Sequence, residues 1–234
     1  MKVSVIIPTL NEERVIGRVI EAIKAQEYDG EVEVIVADGV SKDNTVSIAR
    51  KHGAKVAIEH THTISAGRQA GADIASGEIF LYTDADALPK KDWIKNVAKA
   101  FEDKNVSAAY GWIVPHQGRF VEVFLLKYSA LFAAYISSII GMDYLAGSNM
   151  AIRASAFRKI GGMNVMLTTG EDTDLIKRAR KVGKVKFVPS AIVMYSLRRI
   201  RNWGYKKYLL FHTQNYFSSH LLGRPASKYD TVRD

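Results

Sequence analysis

Two aspartates, Asp84 and Asp86, stand one residue apart directly after the apolar stretch Ile79–Tyr82. In an extended segment, residues i and i+2 point to the same side, so both carboxylates would face one spot. Two carboxylates held close together are unfavourable unless a cation lies between them. Their oxygens suit Mg²⁺ or Mn²⁺, which often bind through one or two carboxylates together with substrate phosphates. The alternative is a solvated turn at the end of a strand, where aspartate is common.

A second acidic pair, Glu171 and Asp172, follows Gly170 at the start of a predicted helix. Acidic side chains at this position often do no more than stabilise the helix N-terminus. In a site they have another use, because a positioned carboxylate can take a proton from an acceptor hydroxyl. The pair is therefore a candidate general base.

Four arginines are candidate phosphate ligands, because a guanidinium binds phosphate oxygens through two parallel hydrogen bonds. Arg198, Arg199 and Arg201 precede Trp203, and Arg68 lies in the predicted helix before the aspartate strand. We expect Arg198, Arg199 or their neighbours to neutralise a diphosphate leaving group. A basic surface loop is the alternative interpretation of the C-terminal three.

The elements that must position these residues alternate between strands and helices over the first 110 residues. Strands alternating with helices of 10–15 residues indicate a mostly parallel sheet flanked by helices, and so an α/β fold. Ligands of such sheets bind outside the carboxyl ends of the strands, where Pro8–Glu12, Asp38–Gly39 and Thr83–Asp86 all fall. One site at this edge is predicted. Two local expectations accompany it: Asn11 as a helix N-cap, and Pro89 in the first turn of the next helix.

Together these segments resemble a family 2 glycosyltransferase with the GT-A fold, over roughly residues 3–200. The resemblance rests on five motifs in the expected order, namely VIIPTLNEE, VIVADGVSKDNT, AGRQAGADIASGEIFLYTDAD, GSNMAIRASAFRKIGG and GEDTDLIKRARKVGKVKFVP. It differs in two places. Ala37 stands where the family often has the first aspartate of a pair, and the Q-x-x-R-W signature of processive synthases is absent.

The resemblance implies an inverting hexosyltransferase that uses a nucleoside-diphosphate sugar, such as a UDP- or GDP-sugar, with Mn²⁺ or Mg²⁺. It implies that Asp86, with Asp84, holds the metal and that Asp172, beside Glu171, is the base. The implied donor-binding residues are Pro8, Thr9, Glu12, Asp38, Arg68, Asp84, Arg198 and Arg199. Among them, Glu12 would bind the ribose hydroxyls, Asp38 the nucleotide base and Asp84 the ribose or sugar.

We expect a glycosyltransferase domain over residues 1–200, with a nucleotide-binding half at about 1–110 and an acceptor-binding half at 111–200. Residues 201–234 form an amphipathic C-terminal extension in this interpretation. The net charge is +9, but residues 176–234 alone carry 14 Lys and Arg against two Asp. A strongly basic end indicates an anionic partner. The interleaved aromatic and basic side chains after Arg201 suit a membrane headgroup region.

The stretch Tyr128–Met142 has no charge, yet it is shorter than the roughly 20 residues of a membrane span. It is expected to be a buried helix or a helix in the membrane interface. These features predict a cytoplasmic enzyme, peripheral on the inner face of the cell membrane. The alternative is that both stretches pack on the core or form a homodimer interface. No nucleic acid partner is expected, although basic and aromatic surfaces can bind single strands.

The predicted acceptor is a hydroxyl on a glycan or a lipid-linked sugar, because a hydroxyl needs a base whereas a lipid phosphate is already anionic. Three alternatives stay open. They are a polyprenyl-phosphate glycosyltransferase of the dolichyl-phosphate sugar synthase type, a catalytically silent sugar-nucleotide-binding module, and a nucleotidyltransferase of related architecture. The sequence has no cysteine, which excludes disulfides and thiolate metal sites.

Overall fold

A computed structural model describes residues 1–219 apart from Gln117 and Tyr144, and the side chain of Arg199 also lies outside the description. One eight-stranded sheet runs through the molecule in the order β3-β2-β1-β4-β7-β6-β8-β5. Its strands are β1 Val3–Thr9, β2 Val32–Asp38, β3 Lys55–Ile58, β4 Ile79–Tyr82, β5 Ala87–Pro89, β6 Val106–Pro115, β7 Met150–Arg153 and β8 Lys184–Tyr195.

Helices flank the sheet. They are α1 Ile16–Lys24, α2 Thr45–Lys51, α3 Ile64–Asp73, α4 Trp93–Ala100, α5 Phe120–Ile139, α6 Ala154–Lys159, α7 Glu171–Arg180, α8 Arg198–Trp203 and α9 Tyr205–Phe217, with a 3-10 turn at Gly147–Asn149. The predicted α/β class is confirmed.

Strand β1 is the centre of the parallel part of the sheet. It pairs in parallel with β2 on one side and with β4 on the other. The chain therefore continues on one side of β1 with β2 and later on the other side with β4. Ligands of such sheets bind where the strand order reverses in this way. Further along, β7 is antiparallel to both of its neighbours and β5 is antiparallel to β8, while the other six strands share one direction.

Strand β1 is buried on both faces, as expected for a parallel strand covered by helices. Val3, Val5 and Ile7 belong to one core cluster, together with apolar side chains of α1 and α4. Ile6 points the other way, into a second cluster that includes side chains of α6 and α7. The period of two along β1 thus connects two cores through one strand.

The expected boundaries between the parts of the chain fall inside elements. The division at residue 110 cuts β6, whose ten residues join the two halves into one continuous sheet. The division at residue 200 cuts α8, in which Ile200 is buried. Residues 220–234 of the expected extension lie outside the described residues.

Two local expectations were wrong. Helix α1 begins at Ile16, not after Asn11, and Asn11 adopts a left-handed φ of 57°. Hydrogen bonds to the β2–α2 loop stabilise this non-helical turn. The Asn11 N–H donates to Ser41 Oγ, and its Oδ1 accepts from the Lys42 N–H. Pro89 ends strand β5, so α4 begins four residues later.

Helix α5 is longer and more exposed than Tyr128–Met142 predicts. It spans 20 residues from Phe120, and its length and hydropathy suffice for a membrane span, a test that core helices of soluble proteins also pass. The expectation of a buried helix is wrong, because only 11% of its most apolar window is buried. Phe132 and Ile139 are each 70% exposed.

Candidate functional site

A cleft of about 390 Å³ opens at the carboxyl ends of β1, β2 and β4. It lies where the sequence predicts the site, and both halves of the chain line it. Nine of the candidate residues border it: Pro8, Thr9, Glu12, Arg68, Asp84, Asp86, Glu171, Asp172 and Arg198. Asp38 is not among its lining residues, and the side chain of Arg199 lies outside the described residues.

Asp84 and Asp86 border the cleft, but not as two residues of an extended strand, which their spacing suggests. Strand β4 ends at Tyr82, and a turn follows in which the Ala87 N–H donates to the Asp84 carbonyl. The two carboxylates have different partners. Asp84 Oδ1 lies 3.2 Å from Arg68 Nη2, and Asp86 Oδ2 lies 3.4 Å from Arg198 Nη2. The extended-strand argument was therefore wrong, although both side chains reach the site.

Arg68 forms a buried link across the floor of the cleft. Its side chain is 2% exposed, with Nη1 2.6 Å from Glu171 Oε1 and Nη2 3.2 Å from Asp84 Oδ1. Arg68 was expected to bind donor phosphate, but its guanidinium is instead buried against two carboxylates of the chain. Because α3 carries Arg68 and α7 carries Glu171, the link connects the two halves of the molecule at the cleft.

Gly147 makes that link possible. A Cβ at this position would lie 2.4 Å from both Arg68 Nη1 and Arg68 Nη2. Such a contact is closer than real Cβ atoms come to their neighbours, so any larger residue here would have to displace the guanidinium. The sequence signal is the first letter of the G-S-N segment, which the resemblance assigns to the acceptor side without a role for this residue.

Asn149, in the same segment, is a further residue that sequence reasoning missed. It is buried, and its Nδ2 donates to the carbonyls of Trp112 at 3.0 Å and Ala191 at 2.9 Å. Its Oδ1 accepts from Trp93 Nε1 at 2.8 Å. These bonds fix the 3-10 turn to β6, β8 and α4, and so hold Gly147 under the cleft.

The two acids at the start of α7 are electrostatically distinct. Burial raises the pKa of Glu171, the neighbouring Asp172 raises it further, and Arg68 opposes both effects. Burial also raises the pKa of Asp172, while Arg68 and the backbone N–H groups of Thr173 and Gly147 lower it. The Glu171 carboxylate accepts a hydrogen bond from Arg68, whereas Asp172 is partly exposed in the cleft. Both acids border the cleft, and Asp172 is the less buried of the two.

Asp38 stabilises the loop that follows β2. Its buried carboxylate accepts from the Ser41 N–H at 2.8 Å, from Ser41 Oγ at 2.5 Å and from Thr9 Oγ1 at 3.2 Å. Its predicted contact with a nucleotide base stays a prediction. The adjoining wall contains Glu59 and His62, which the sequence did not single out; Glu59 Oε2 accepts from the His62 N–H.

The residues at the cleft rim are compatible with a divalent cation. Asp86 offers a carboxylate that now faces a positive guanidinium, and Glu12 Oε1 lies 3.8 Å from the same Arg198 Nη2. Within the described residues no three His, Asp or Glu side chains converge as a metal cage. A site of one or two carboxylates completed by substrate phosphates is what Mg²⁺ and Mn²⁺ commonly use.

Comparison with known proteins identifies the family. Residues 4–161 match the family model described as Glycosyl transferase family 2. The chain is a family 2 glycosyltransferase. It is 28% identical over 192 residues to the glycosyltransferase AglE of Haloferax volcanii, an alignment that covers 77% of this chain and 62% of AglE.

A second relative of this glycosyltransferase is a Methanococcus voltae protein. Its description is dolichyl N-acetyl-alpha-D-glucosaminyl phosphate 3-beta-D-2,3-diacetamido-2,3-dideoxy-beta-D-glucuronosyltransferase. It is 26% identical over 219 residues, which are 88% of this chain and 63% of that protein. The chain thus spans less than two thirds of the length of either relative.

Solved structures confirm that this glycosyltransferase has the GT-A fold. The mannosyltransferase PcManGT from Pyrobaculum calidifontis, in complex with GDP-Man and Mn²⁺, superimposes with a TM-score of 0.71 at 22% identity, covering 97% of this chain and 65% of that one. Residues 1–349 of TarS from S. aureus superimpose with a TM-score of 0.68 at 21% identity, covering 96% and 74%.

Proposed function

We propose that this glycosyltransferase moves a sugar from a nucleoside-diphosphate sugar to an acceptor hydroxyl, with inversion at the anomeric carbon and with Asp172 as general base. The proposal rests on the different surroundings of the two acidic residues at the start of α7. Glu171 neutralises Arg68 in the floor, and Asp172 is left facing the cleft. A carboxylate with a raised pKa is a better proton acceptor than an ordinary aspartate, provided that it is ionised at the working pH.

The donor is assigned to the side of the cleft formed by β1, β2 and the β4–β5 turn. Thr9 and Glu12 border this side, and Asp86 with Asp84 would hold a divalent metal bound to the donor diphosphate. That metal would supply a Lewis acid for the departing diphosphate. The PcManGT complex, which contains GDP-Man and Mn²⁺, supports a divalent ion and a nucleotide-sugar donor.

Arg198 is placed to assist the leaving group. It borders the cleft at the start of α8, and its guanidinium contacts the two rim carboxylates Glu12 and Asp86. If Asp86 holds a metal ion, its carboxylate no longer needs Arg198 as a partner. The Arg198 guanidinium could then turn to the diphosphate oxygens. Asp172 then takes the proton of the attacking hydroxyl on the opposite side of the donor sugar.

The charges in the cleft favour a hydroxyl over a phosphate acceptor. The Lys and Arg side chains that border it within the described residues are Arg68 and Arg198. Arg68 is buried between two carboxylates, and Arg198 contacts the donor-side rim. A lipid phosphate beside Asp172 would be an anion next to a carboxylate, with no further Lys or Arg on the described lining to compensate. This observation weighs against the polyprenyl-phosphate alternative.

The enzyme is further proposed to bind the anionic inner face of the cell membrane and to take a glycan or lipid-linked acceptor there. Helix α5 supports this idea, because it exposes a long apolar surface that includes Phe120, Phe132 and Ile139. The basic C-terminal quarter of the chain would add attraction of about 1 kcal/mol for each Lys or Arg near anionic lipid. Helix α5 follows β6 along the chain and packs against β6 and β8, so this surface adjoins the sheet that positions the cleft.

Sedimentation with vesicles tests the membrane proposal. Binding is expected to vesicles that contain phosphatidylserine, and to weaken as salt is raised from 50 to about 500 mM, because the screening length shortens from more than 10 Å toward a few Å. Equal binding to neutral vesicles, or none to either kind, contradicts the proposal. A homodimer formed through α5 would instead appear as a doubled mass in solution without lipid.

Exchange of Asp172 tests the catalytic proposal. UDP-, GDP-, dTDP- and CDP-sugars are first screened for a metal-dependent rise in Tm, since a ligand that binds only the folded state stabilises it. With the donor so found, Asp172→Asn is expected to lower the rate of nucleoside-diphosphate release about 10²–10⁴-fold and to leave the nucleotide-induced Tm shift intact.

The matched control is Asp174→Asn on the same helix, because Asp174 pairs with Arg178 at 2.6 Å and does not border the cleft. Its release rate should stay near that of the wild type. A wild type that binds donor but releases no diphosphate with any glycoside or lipid-linked sugar would favour the silent binding module. Release of pyrophosphate from a nucleoside triphosphate would favour a nucleotidyltransferase.

A further inference from the structure

Helix α9 presents two different faces. Tyr208, Phe211, His212, Asn215 and Tyr216 follow the spacing of one helix face, are partly buried and border the cleft. The opposite face is exposed and includes Leu209, Leu210 and Phe217. The sequence analysis offered a membrane surface for the aromatic residues of this region, with packing on the core or a homodimer interface as the alternative. Tyr208, Phe211 and Tyr216 face inward, as packing on the core predicts.

Hydrogen bonds attach the inner face of α9 to the acceptor half. Tyr216 Oη donates to the Met142 carbonyl at 2.7 Å, and Thr169 Oγ1 donates to Asn215 Oδ1 at 3.3 Å. Just beyond the helix, Lys177 Nζ donates to the Ser219 carbonyl at 2.8 Å. Thr169 stands two residues before Glu171, so α9 is joined to the loop that leads into the proposed base. Trp203 of α8 packs edge-on against Phe211 with ring centroids 5.4 Å apart.

We infer that the inner face of α9 is the acceptor subsite, on which the apolar face of a sugar ring packs against Tyr208 and Phe211. The inference rests on the proposed function, and it specifies the acceptor as a sugar that is uncharged where it meets this wall. Aromatic walls with a few polar groups are typical of small-molecule sites. The inner face carries the rings of Tyr208, Phe211 and Tyr216, the imidazole of His212 and the amide of Asn215, but neither Lys nor Arg, so it suits hydroxyls and C–H groups better than a phosphate.

This subsite is independent of the segment that identifies the family. The family match ends at residue 161, whereas α9 begins at Tyr205. Relatives that share the donor side can therefore differ in this helix. Acceptor choice is expected to change with the inner face of α9 while donor choice stays with the β1, β2 and β4 loops.

The test compares two tyrosines of the same helix. Binding of methyl glycosides of glucose, mannose, galactose and N-acetylglucosamine, at millimolar concentration, is followed by saturation-transfer NMR on the full chain with nucleotide and Mn²⁺ present. Tyr208→Ala is expected to weaken glycoside binding at least tenfold. Tyr205→Ala is the matched control and should bind as the wild type does, because Tyr205 is the exposed first residue of α9 and does not border the cleft.

A conservative variant separates the loss of a sugar contact from a loosened helix. Tyr208→Leu keeps an apolar side chain against α8 but removes the ring, and it should also weaken glycoside binding while Tm stays near that of the wild type. Equal binding by the Tyr208 and Tyr205 variants overturns the inference, as does a wild type that binds nucleotide but none of the glycosides. A wild type that binds no nucleotide overturns the proposed function instead, so the two failures are distinguishable.

Discussion

Two arginines in one cleft illustrate how burial changes what a residue can do. Arg68 on the floor is 2% exposed and holds Glu171 and Asp84, while Arg198 at the rim is 19% exposed and holds Asp86 and Glu12. Each guanidinium therefore bridges two carboxylates. Breaking the buried bridge is costly, because it leaves a buried charge without a partner. The rim bridge lies near solvent, so its carboxylates can change partners when a ligand arrives.

The difference assigns separate tasks to the two bridges. The floor bridge joins α3 to α7 and fixes the helix start from which Asp172 faces the cleft. The rim bridge connects the β4–β5 turn and the β1–α1 loop to α8, which leads into α9. A stable floor and an exchangeable rim suit the proposed function, in which Asp172 keeps its position while donor enters and diphosphate leaves.

The largest expected effect is on the floor bridge. Arg68→Met leaves the buried Glu171 carboxylate without its cation, and removal of one partner from a buried pair typically costs about 3–5 kcal/mol. Chemical denaturation of the wild type and the variant measures this. A loss below about 1 kcal/mol would contradict the assignment of Arg68 to the structure. Addition of Glu171→Gln to the same chain should recover part of the loss, because no unpaired charge then remains.

A smaller loss of stability is expected for Gly147→Ala. The added Cβ meets the guanidinium of Arg68 at 2.4 Å, and strain from an extra methyl group in a packed interior costs about 1–3 kcal/mol. Gly161→Ala is not a neutral control, since Gly161 has a φ of 79°. Ser155→Ala on α6, exposed and away from the cleft, serves better. Equal stability of the Gly147 variant and the wild type would indicate that the bridge tolerates displacement.

The rim bridge should behave in the opposite way. Arg198→Met is expected to change the free energy of unfolding by less than about 1 kcal/mol, as solvent-near ion pairs contribute little. It should lower kcat/KM for the donor by about tenfold or more, because a charge-assisted hydrogen bond to diphosphate contributes about 1.5–3 kcal/mol. Steady-state kinetics and denaturation of one preparation give both values. Loss of stability with unchanged kinetics would reverse the roles of the two arginines.

The smallest effect concerns pH. If Asp172 is the general base as proposed, it must be ionised, so kcat/KM should fall as the pH drops through its raised pKa. Arg68 lowers the pKa of Asp172, and Arg68→Met should therefore move the acidic limb of the pH–rate profile to higher pH. The profile is measured on folded protein at low temperature. A limb that stays in place would mean that another group controls it.

Much of the fold followed from local patterns, and the site only in part. The alternation of strands and helices predicts the parallel sheet, and the carboxyl ends of its strands predict the edge where Thr9, Asp84 and Asp86 border the cleft. Helix starts were less predictable. The local sequence predicts Asn11 as an N-cap. In the fold, Asn11 forms hydrogen bonds instead with Ser41 and Lys42, some 30 positions further along the chain.

The sequence by itself determined the class of fold, the family and the residue types at the site, because periodicity and ordered motifs depend only on neighbouring positions. Tertiary structure decided the partners. Arg68 and Glu171 are separated by 103 positions, and their bond exists only because the fold brings these two side chains together beside Gly147. The inner face of α9 was decided in the same way. The sequence shows that its aromatic residues recur at helical spacing. Which face of the helix borders the cleft depends on the elements packed around it.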